Sequence, residues 1–343
     1  MIKKIAHKII ELFCKELYIT YSERKRFAEE ARESFEREKP SHGSMEEYLY
    51  CLKKYRVTYS EYMYQYQFWN LTDNERQEYV SRSQMQKFYR QHIMRPQVRA
   101  LMLNKAAFLT RFAAYIKRHW MVVKNHSFEE FKQLTDASDC IAKPLAGSLG
   151  QGIFKITKGS ATERLYEQCR QNDVLVEELV HADKSIEAFN PDTLNTIRVV
   201  TFSNGDEAVV FGSFIRFGRK GKVVDNAHNG GIFAQINIHT GQIESNGINT
   251  DGQEFICHPD SGLPFKGFQI PQWKEIMDFC RRASLEIKEL RVCGWDVCVR
   301  ADGQLEFIEG NHAPDFDVMQ SPLKMGVRSQ LNTLFKHLYR KTI

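Results

Sequence analysis

The stretch GWDVCVRADGQLEFIEGN, residues 294–311, decides the fold. Two apolar runs, Trp295–Val299 and Leu305–Glu309, are separated by Ala301-Asp302-Gly303, which predicts a β-hairpin with a tight turn. Alternation puts Glu309 and Asn311 on one face of the second strand, and hairpin pairing brings Asp296 beside them. Two carboxylates and an amide oxygen on one sheet face suit a hard cation such as Mg2+, which takes oxygen ligands and keeps positions open for substrate phosphates. The alternative is an Asp and a Glu on the wet face of a hairpin. Their setting in apolar runs argues against it, because burying an acid without a partner is costly.

Upstream, CIAKPLAGSLGQGIFKI at 140–156 reads as strand, glycine-rich turn, strand. A Walker A loop is excluded because Gly152 is followed by Ile153 and Phe154, not by lysine and a hydroxyl residue. A dinucleotide fingerprint is excluded because Ile153-Phe154-Lys155-Ile156 has the pattern of a strand where that motif needs a helix. What remains is an ordinary hairpin or a cradle whose backbone N–H groups lie over polyphosphate, which glycine permits by close approach and positive φ. Basic residues stand where phosphates need them: Lys143 at the entry to this turn, Arg198 in NTIRVVTF and Arg216 in VVFGSFIRFGRKGK. The loop GRKGKVVDNAHNGG, residues 218–231, has the glycines and charges of a mobile lid, and equally of a long hairpin.

Composition narrows the class. At 343 residues, 42% hydrophobic and 27% charged, the chain is long enough for a large core and two or three subdomains. Forty-eight basic against 43 acidic side chains leave a net charge of +5, too small an excess to argue for nucleic acid and suited to one local anionic site. Eight scattered cysteines without a CxxC pair read as reduced thiols of a cytoplasmic protein. No run of about 18 apolar residues predicts a membrane span. The start, MIKKIAHKIIELFCKELYI, lacks the apolar core of a signal peptide and has apolar residues at helical spacing. It predicts a helix packed on its own domain, while the same polarity over residues 1–18 also suits contact with the inner face of an anionic membrane.

Eleven of the fourteen tyrosines lie in the first 89 residues, so this region is set apart and is expected to be helical. It has a turn at Lys39–Gly43 and a capping box at Thr72–Glu75. Tyr62–Trp69 alternates as a strand would, and its rings are read as packing in preference to a platform for sugars or bases. From about residue 97 the pattern is mixed. Helices open at Lys105 and after Ser127, and strands follow at Val174–Leu179, Thr196–Phe202, Ala208–Arg216 and Gly231–Ile238. Helices cover Trp273–Leu290 and the end of the chain from about Pro322, and the expected class is α+β.

These motifs, in this order, resemble the ATP-grasp superfamily, whose members bind Mg-ATP between two α+β subdomains. NKAAFLTRF at 104–112 is similar to the family's helix-opening Asp-Lys, with Asn104 in place of Asp. IAKPLAGSLGQGIFKI is similar to its glycine hairpin, LVEELV at 175–180 to its hinge strand, and Asp296, Glu309 and Asn311 to its magnesium motif. NAHNGG at 226–231 resembles the N-x-H-x-G-G loop of the glutamate-adding ligases. Within the superfamily, NTIRVVT, VDNAHNGG, GWDV and IEGNHAPDFDVMQ look most like the sugar-transfer-associated proteins encoded with bacterial surface-polysaccharide genes.

The resemblance implies an ATP-grasp fold with residues 1–96 helical, 97–180 nucleotide-binding and 181–343 catalytic and metal-binding. It implies ATP and one or two Mg2+ ions. Lys105 and Lys143 would hold phosphates, with Gly147, Ser148, Gly150 and Gly152 closing over them. Glu177 or Glu178, with the backbone of Leu179 and Val180, would hold adenine, and Asp183 the ribose. Arg198 and Arg216 would neutralise the γ-phosphate and a reacting carboxylate, while Asp296, Glu309 and Asn311 would ligate Mg2+. His228 would assist proton removal, and Asn226, Gly230 and Gly231 would face the substrate. The implied reaction joins a small-molecule carboxylate to an amine, sugar-linked in the polysaccharide context, through an acyl phosphate. The alternatives are a kinase acting on a hydroxyl and a non-catalytic nucleotide-binding partner of a glycosyltransferase. The chain departs from the family at Pro314-Asp315, where Pro-Gly is usual, and in carrying a helical region where many ligases have an α/β domain.

Overall fold

The computed structural model describes residues 21–145, 152–221, 230–340 and 342. The expected helix at residues 1–18 lies outside them.

The tyrosine-rich region is helical and packs on itself. Helix α1 (residues 21–38) and helix α2 (Met45–Tyr55) meet at a turn where Gly43 has a φ of +73°. A Cβ there would lie 2.8 Å from the Tyr62 hydroxyl, so both the conformation and the space require glycine. Helix α3 (Asp73–Glu78) starts at the expected capping box of Thr72 and Glu75. Tyr62–Trp69 is not a strand: Glu61–Gln65 forms a π-helical turn and Phe68–Asn70 a 3-10 turn, with Gln67 between them at a φ of 53°. Packing overrides the alternation. Tyr62 and Tyr66, one turn apart, enter a buried cluster with Tyr48, Phe68 and Tyr79, several rings meeting edge to face. These rings are core, as expected.

Helices α4 (Arg82–Phe88), α5 (Pro96–Leu103) and α6 (Lys105–Arg111) lead to the smaller sheet. Its elements are β1 (Trp120–Val122), α7 (Phe128–Ala137, capped by Ser127), β2 (Cys140–Pro144), β3 (Phe154–Ile156), α8 (Glu163–Gln171) and β4 (Val174–Glu178). The strand order is β1-β4-β2-β3, antiparallel throughout, and α7 and α8 pack against it through Phe131, Leu134 and Cys169.

After the short helix α9 (Lys184–Glu187) come β5 (Ile197–Ser203), β6 (Ala208–Phe217), β7 (Ile232–Ile236), β8 (Gly247–Ile248) and β9 (Glu254–Phe255). Helix α10 (Trp273–Leu285), β10 (Val292–Val299), β11 (Leu305–Asn311), α11 (Asp317–Gln320) and α12 (Arg328–Tyr339) complete the fold. The larger sheet has the order β11-β10-β5-β6-β7-β8-β9, also antiparallel. Its two faces are used differently. Ile197, Val199, Trp295 and Val297 join a core with α10, α5 and α6. Val200, Phe202 and Val292 face the other way, under Phe88 of α4 and Phe335 of α12. Alternation puts Arg198 on this second face, beyond the part the helices cover. Residues 97–116 therefore share the core of the larger sheet, although the sequence groups them with the nucleotide-binding segment. The final helix starts later than Pro322 because Lys324 is left-handed and Gly326 lies against the backbone of Glu78. Among the described residues no helix is long and apolar enough to cross a membrane.

The N-terminal region is fixed to the sheet unit by polar groups as well as apolar ones. Buried Gln320 accepts from Val80 N at 2.9 Å and donates to Val80 O at 2.9 Å and to the Tyr66 hydroxyl at 3.0 Å. Arg328 donates to Gln77 O at 2.6 Å and Tyr79 O at 2.8 Å. Gln320→Ala strands the Val80 N–H in a dry interface, and urea unfolding is expected to show a loss of about 2–4 kcal/mol. An unchanged midpoint would mean that water replaces the amide.

Candidate functional site

The two sheets and the N-terminal region enclose a cleft of about 1050 Å³. Its floor is the hairpin quoted above. Asp296 and Glu309 are directly paired across β10 and β11, and Asp296 is also paired with Arg198 of β5. Gly294 shares the face of Asp296, and a Cβ on it would come within 2.9 Å of Arg198 Cδ. Glycine at this position lets the Arg198 side chain lie flat along the sheet and reach the acid.

Asp296 is fully buried. Arg198 grips both its oxygens, one through Nε and the other through a terminal nitrogen at 2.8 Å, and Arg216 adds a bond to Oδ2 at 2.6 Å. Burial works to raise the pKa of Asp296, but the two guanidinium groups outweigh it and hold it at about 2. Glu309 moves the opposite way. Half of its side chain is exposed, but to the interior of the cleft, and desolvation there together with the Asp296 charge raises its pKa. Asn311 Nδ2 donates to Glu309 Oε1 at 3.1 Å, and the nearest Arg198 nitrogen is 3.9 Å from that same oxygen.

The sequence thus assembles its intended trio, with one amendment. Asp296 is first the counter-ion of two arginines. Glu309 and Asn311 present their oxygens to the cleft, a donor set that fits Mg2+ chemically, and the four lone-pair sites of a carboxylate allow Asp296 to serve a guanidinium and a cation together. Among the described residues no group of three or more His, Cys, Asp or Glu side chains forms a metal site. The candidate set is two carboxylates and an amide.

The basic residues converge from both sheets. Lys105, the first residue of α6, donates to Pro144 O at 2.9 Å, and Lys143 beside it pairs with Glu177. Burial lowers the pKa of Lys105, and the nearby Lys143 charge adds to this against the pull of Glu309. Gly152 has a φ of +71°, and a Cβ on it would meet Pro144 Cγ at 2.9 Å, so the glycine closes tightly on the strand carrying Lys143. Gly147, Ser148, Gly150, Asn226 and His228 lie outside the described residues. Gly230 is exposed at a φ of +83° and Gly231 precedes β7; neither lines the cleft.

Two residues that sequence reasoning missed hold the cleft together. Arg118 is buried where the chain first crosses to the smaller sheet. Its guanidinium donates to Glu177 Oε2 at 2.9 Å, Glu306 Oε1 at 2.6 Å and the carbonyls of Phe307 and Ile308 at 2.8 and 3.1 Å. Glu306 also accepts from the backbone N–H groups of Lys117 and Arg118 at 3.0 Å each and pairs with Arg300 at 2.5 Å. The signal available was Glu306 in the apolar run LEFI, an acid one residue from the core and in need of a cation.

At the hinge strand, Glu177 is turned inward to Arg118 and Lys143, and despite burial these cations lower its pKa. It lines the cleft with both its oxygens committed to these cations. Glu178 faces the other way, accepting from His119 N at 2.8 Å. The N–H of Leu179 is committed to Asp139 O at 2.8 Å, and Leu179 and Val180 line the cleft. Asp183 caps α9 by accepting from Ser185 N at 2.9 Å, and its neighbours His181 and Glu187 line the cleft where it does not.

Residues 160–336 match the profile of the sugar-transfer-associated ATP-grasp family. The chain belongs to this family. Its α+β architecture is the ATP-grasp fold with a helical N-terminal region. Among solved structures it is similar to the ATP-grasp ligase PsnB complexed with minimal precursor, Mg and ADP, at 17% identity and a TM-score of 0.44, over 72% of this chain and 61% of that one. It is also similar to N5-carboxyaminoimidazole synthase from Aspergillus clavatus in complex with ADP and 5-aminoimidazole ribonucleotide, at 8% identity and a TM-score of 0.42, over 73% and 58% of the two chains. The Staphylococcus aureus N5-carboxyaminoimidazole synthetase complexed with ADP gives 11% identity and a TM-score of 0.43 over 73% and 58%. The ATP-grasp chain spans about six-tenths of the length of these structures. No curated protein sequence matches it.

Two outcomes test the electrostatics. Arg118→Met leaves Glu177 and Glu306 buried without their shared cation, and chemical denaturation is expected to show a loss of about 3–5 kcal/mol. For Asp296, the folded pKa of about 2 lies below the 3.8 of an exposed chain, so its stabilisation is full above that value and is lost as pH falls through 2. The stability gap between the natural chain and Asp296→Asn should therefore contain a pH-dependent part of about 2 kcal/mol that is present at pH 7 and closes between pH 4 and 2. A gap independent of pH would show that Asp296 is not held ionised.

Proposed function

We propose that this chain is an ATP-dependent carboxylate–amine ligase. What carries the reading is the convergence, in one cleft, of Lys105 and Lys143 from one side and Arg198 and Arg216 from the other, around Glu309 and Asn311. Four cations about a raised-pKa acid and an amide suit a nucleotide triphosphate with a divalent ion. Family membership supports an ATP-grasp reading of this cleft. The segment 118–180 is the nucleotide side and the larger sheet the metal and catalytic side.

In this proposal Lys105 and Lys143 hold the phosphates under the glycine turn that ends at Gly152. Glu178, the Leu179 carbonyl and Val180 receive the base, with Glu187 or His181 nearer the ribose than Asp183. Glu309 and Asn311, with Asp296, hold Mg2+, which when bound offsets charge on the transferring phosphate. Arg198 and Arg216 orient a substrate carboxylate and the γ-phosphate. A carboxylate oxygen bonds to the γ-phosphorus as its bond to ADP breaks, giving an acyl phosphate. An amine nitrogen then bonds to the acyl carbon as phosphate leaves, and the amine proton passes to a base, for which His228 is the candidate. Asn226, the loop's candidate for substrate contact, lies outside the described residues, and Gly230 and Gly231, which do not line the cleft, are given no substrate contact. Positioning and charge neutralisation do most of the work.

The test is phosphate-species analysis with Mg-ATP and a pool of amino acids and sugar acids. ADP and inorganic phosphate should appear only with the pool, and Glu309→Gln should slow their release about 100-fold or more. Hydroxylamine should divert the acyl phosphate to a hydroxamate. A phosphorylated acceptor without hydroxamate would replace ligation with kinase chemistry.

A further inference from the structure

Arg198 and Arg216 both reach Asp296, but unequally. Arg198 takes both carboxylate oxygens, whereas Arg216 gives Oδ2 a single bond at 2.6 Å. A paired contact fixes the plane of a guanidinium, while a single one leaves it able to turn about that bond. The second point for Arg216 is Thr196. Its hydroxyl oxygen accepts from Nε at 3.1 Å and from Nη2 at 2.6 Å, one lone pair for each. Arg216 is therefore held on two sides, by a charge and by a hydroxyl, and both Thr196 and Arg216 line the cleft.

Thr196 is itself fixed. It is buried just before β5, and its carbonyl accepts from Arg216 N at 2.9 Å. Asn195, which precedes it, is left-handed at a φ of 54° and carries a buried network. Its Nδ2 donates to Asn190 O at 2.9 Å and Ile186 O at 3.2 Å. Its Oδ1 accepts from the Thr193 hydroxyl at 3.0 Å and from Gly218 N at 3.1 Å. The last bond pins the end of β6 two residues beyond Arg216. A Cβ at Gly218 would overlap the Thr193 side chain, so glycine lets that strand end close on the turn. The turn at 190–196 thus braces the strand that carries Arg216 while Thr196 holds its side chain.

We propose that Thr196 is the positioning residue for Arg216, and that the pair meets the γ-phosphate and so distinguishes ATP from ADP. A guanidinium whose plane is preset meets a phosphate in the paired geometry without first losing rotational freedom. Without the hydroxyl the charge remains and the orientation is lost. The inference rests on the ATP reading of the cleft, and adds to it a residue and an order of preference among nucleotides.

Isothermal titration calorimetry on the full chain, with Mg2+ and either ADP or a non-hydrolysable ATP analogue, gives the ratio of the two affinities. The natural chain should prefer the analogue, and Arg216→Met should abolish that preference. Thr196→Val should reduce it about fivefold or more while ADP affinity stays within about twofold. Thr196→Ser, which keeps the hydroxyl, should restore it. A loss of fold weakens both nucleotides alike, so the ratio and the serine rescue separate positioning from stability, and Thr196→Ala replaces the valine variant where valine does not fold. Equal binding of the two nucleotides by the natural chain, an unaltered ratio in Thr196→Val, or failure of serine to restore it would each overturn the inference and leave the ligase reading standing. Absence of any nucleotide binding to the natural chain would overturn both.

Discussion

Arg118 is a buried guanidinium shared between an acid of the smaller sheet, Glu177, and an acid of the larger one, Glu306. Removing three charges from water is unfavourable, and only their close mutual pairing, with carbonyls and backbone N–H groups completing the shell, offsets it. The arrangement has a geometric consequence. Both crossings of the chain between the sheets are pinned to the turn end of the β10–β11 hairpin: the first by Glu306 on Lys117 and Arg118, the second by the pairing of Ala182 with Arg300 and of Asp183 N with Val299 O at 2.7 Å. The opening between the sheets is thereby set by the hairpin that also carries Asp296, Glu309 and Asn311.

The same ion chain extends to the nucleotide side. Glu177 receives Arg118 on one oxygen and Lys143 on the other, so the lysine nearest the glycine turn is oriented by the element that joins the sheets. At the other end of the hairpin, Asp296 orients Arg198 and Arg216. Lys143, Arg198 and Arg216 are therefore each held by a buried acid behind them, while Lys105 is held by the Pro144 carbonyl. This ordering limits the reorganisation needed when anionic groups enter, the condition under which electrostatic stabilisation is most effective.

Much of this was legible in the amino-acid order. Thr72, Ser127 and the turn at Asp302-Gly303 act within a few residues, and their caps and reversals form as their chemistry predicts. The alternation that puts Asp296, Glu309 and Asn311 on one face is a property of the strand itself. Tyr62–Trp69 shows where such local reasoning ends. Its period of two competed with burial of Tyr62 and Tyr66 in an aromatic core, and the core won.

The sequence by itself determined the α+β class, most of the strands along the chain and the residue types that meet anions and cations, because periodicity, turns and caps are short-range. The tertiary structure alone decided who pairs with whom. Arg118 and Glu306 stand 188 residues apart, Arg82 and Asp317 stand 235 apart, and Gln320 meets Tyr66 across 254. No local pattern encodes such partners. They follow from closure of the sheets and from the docking of the N-terminal region, which turns Asp296 into a counter-ion, commits Glu177 to the hinge and makes a tyrosine-rich helical segment part of the cleft wall.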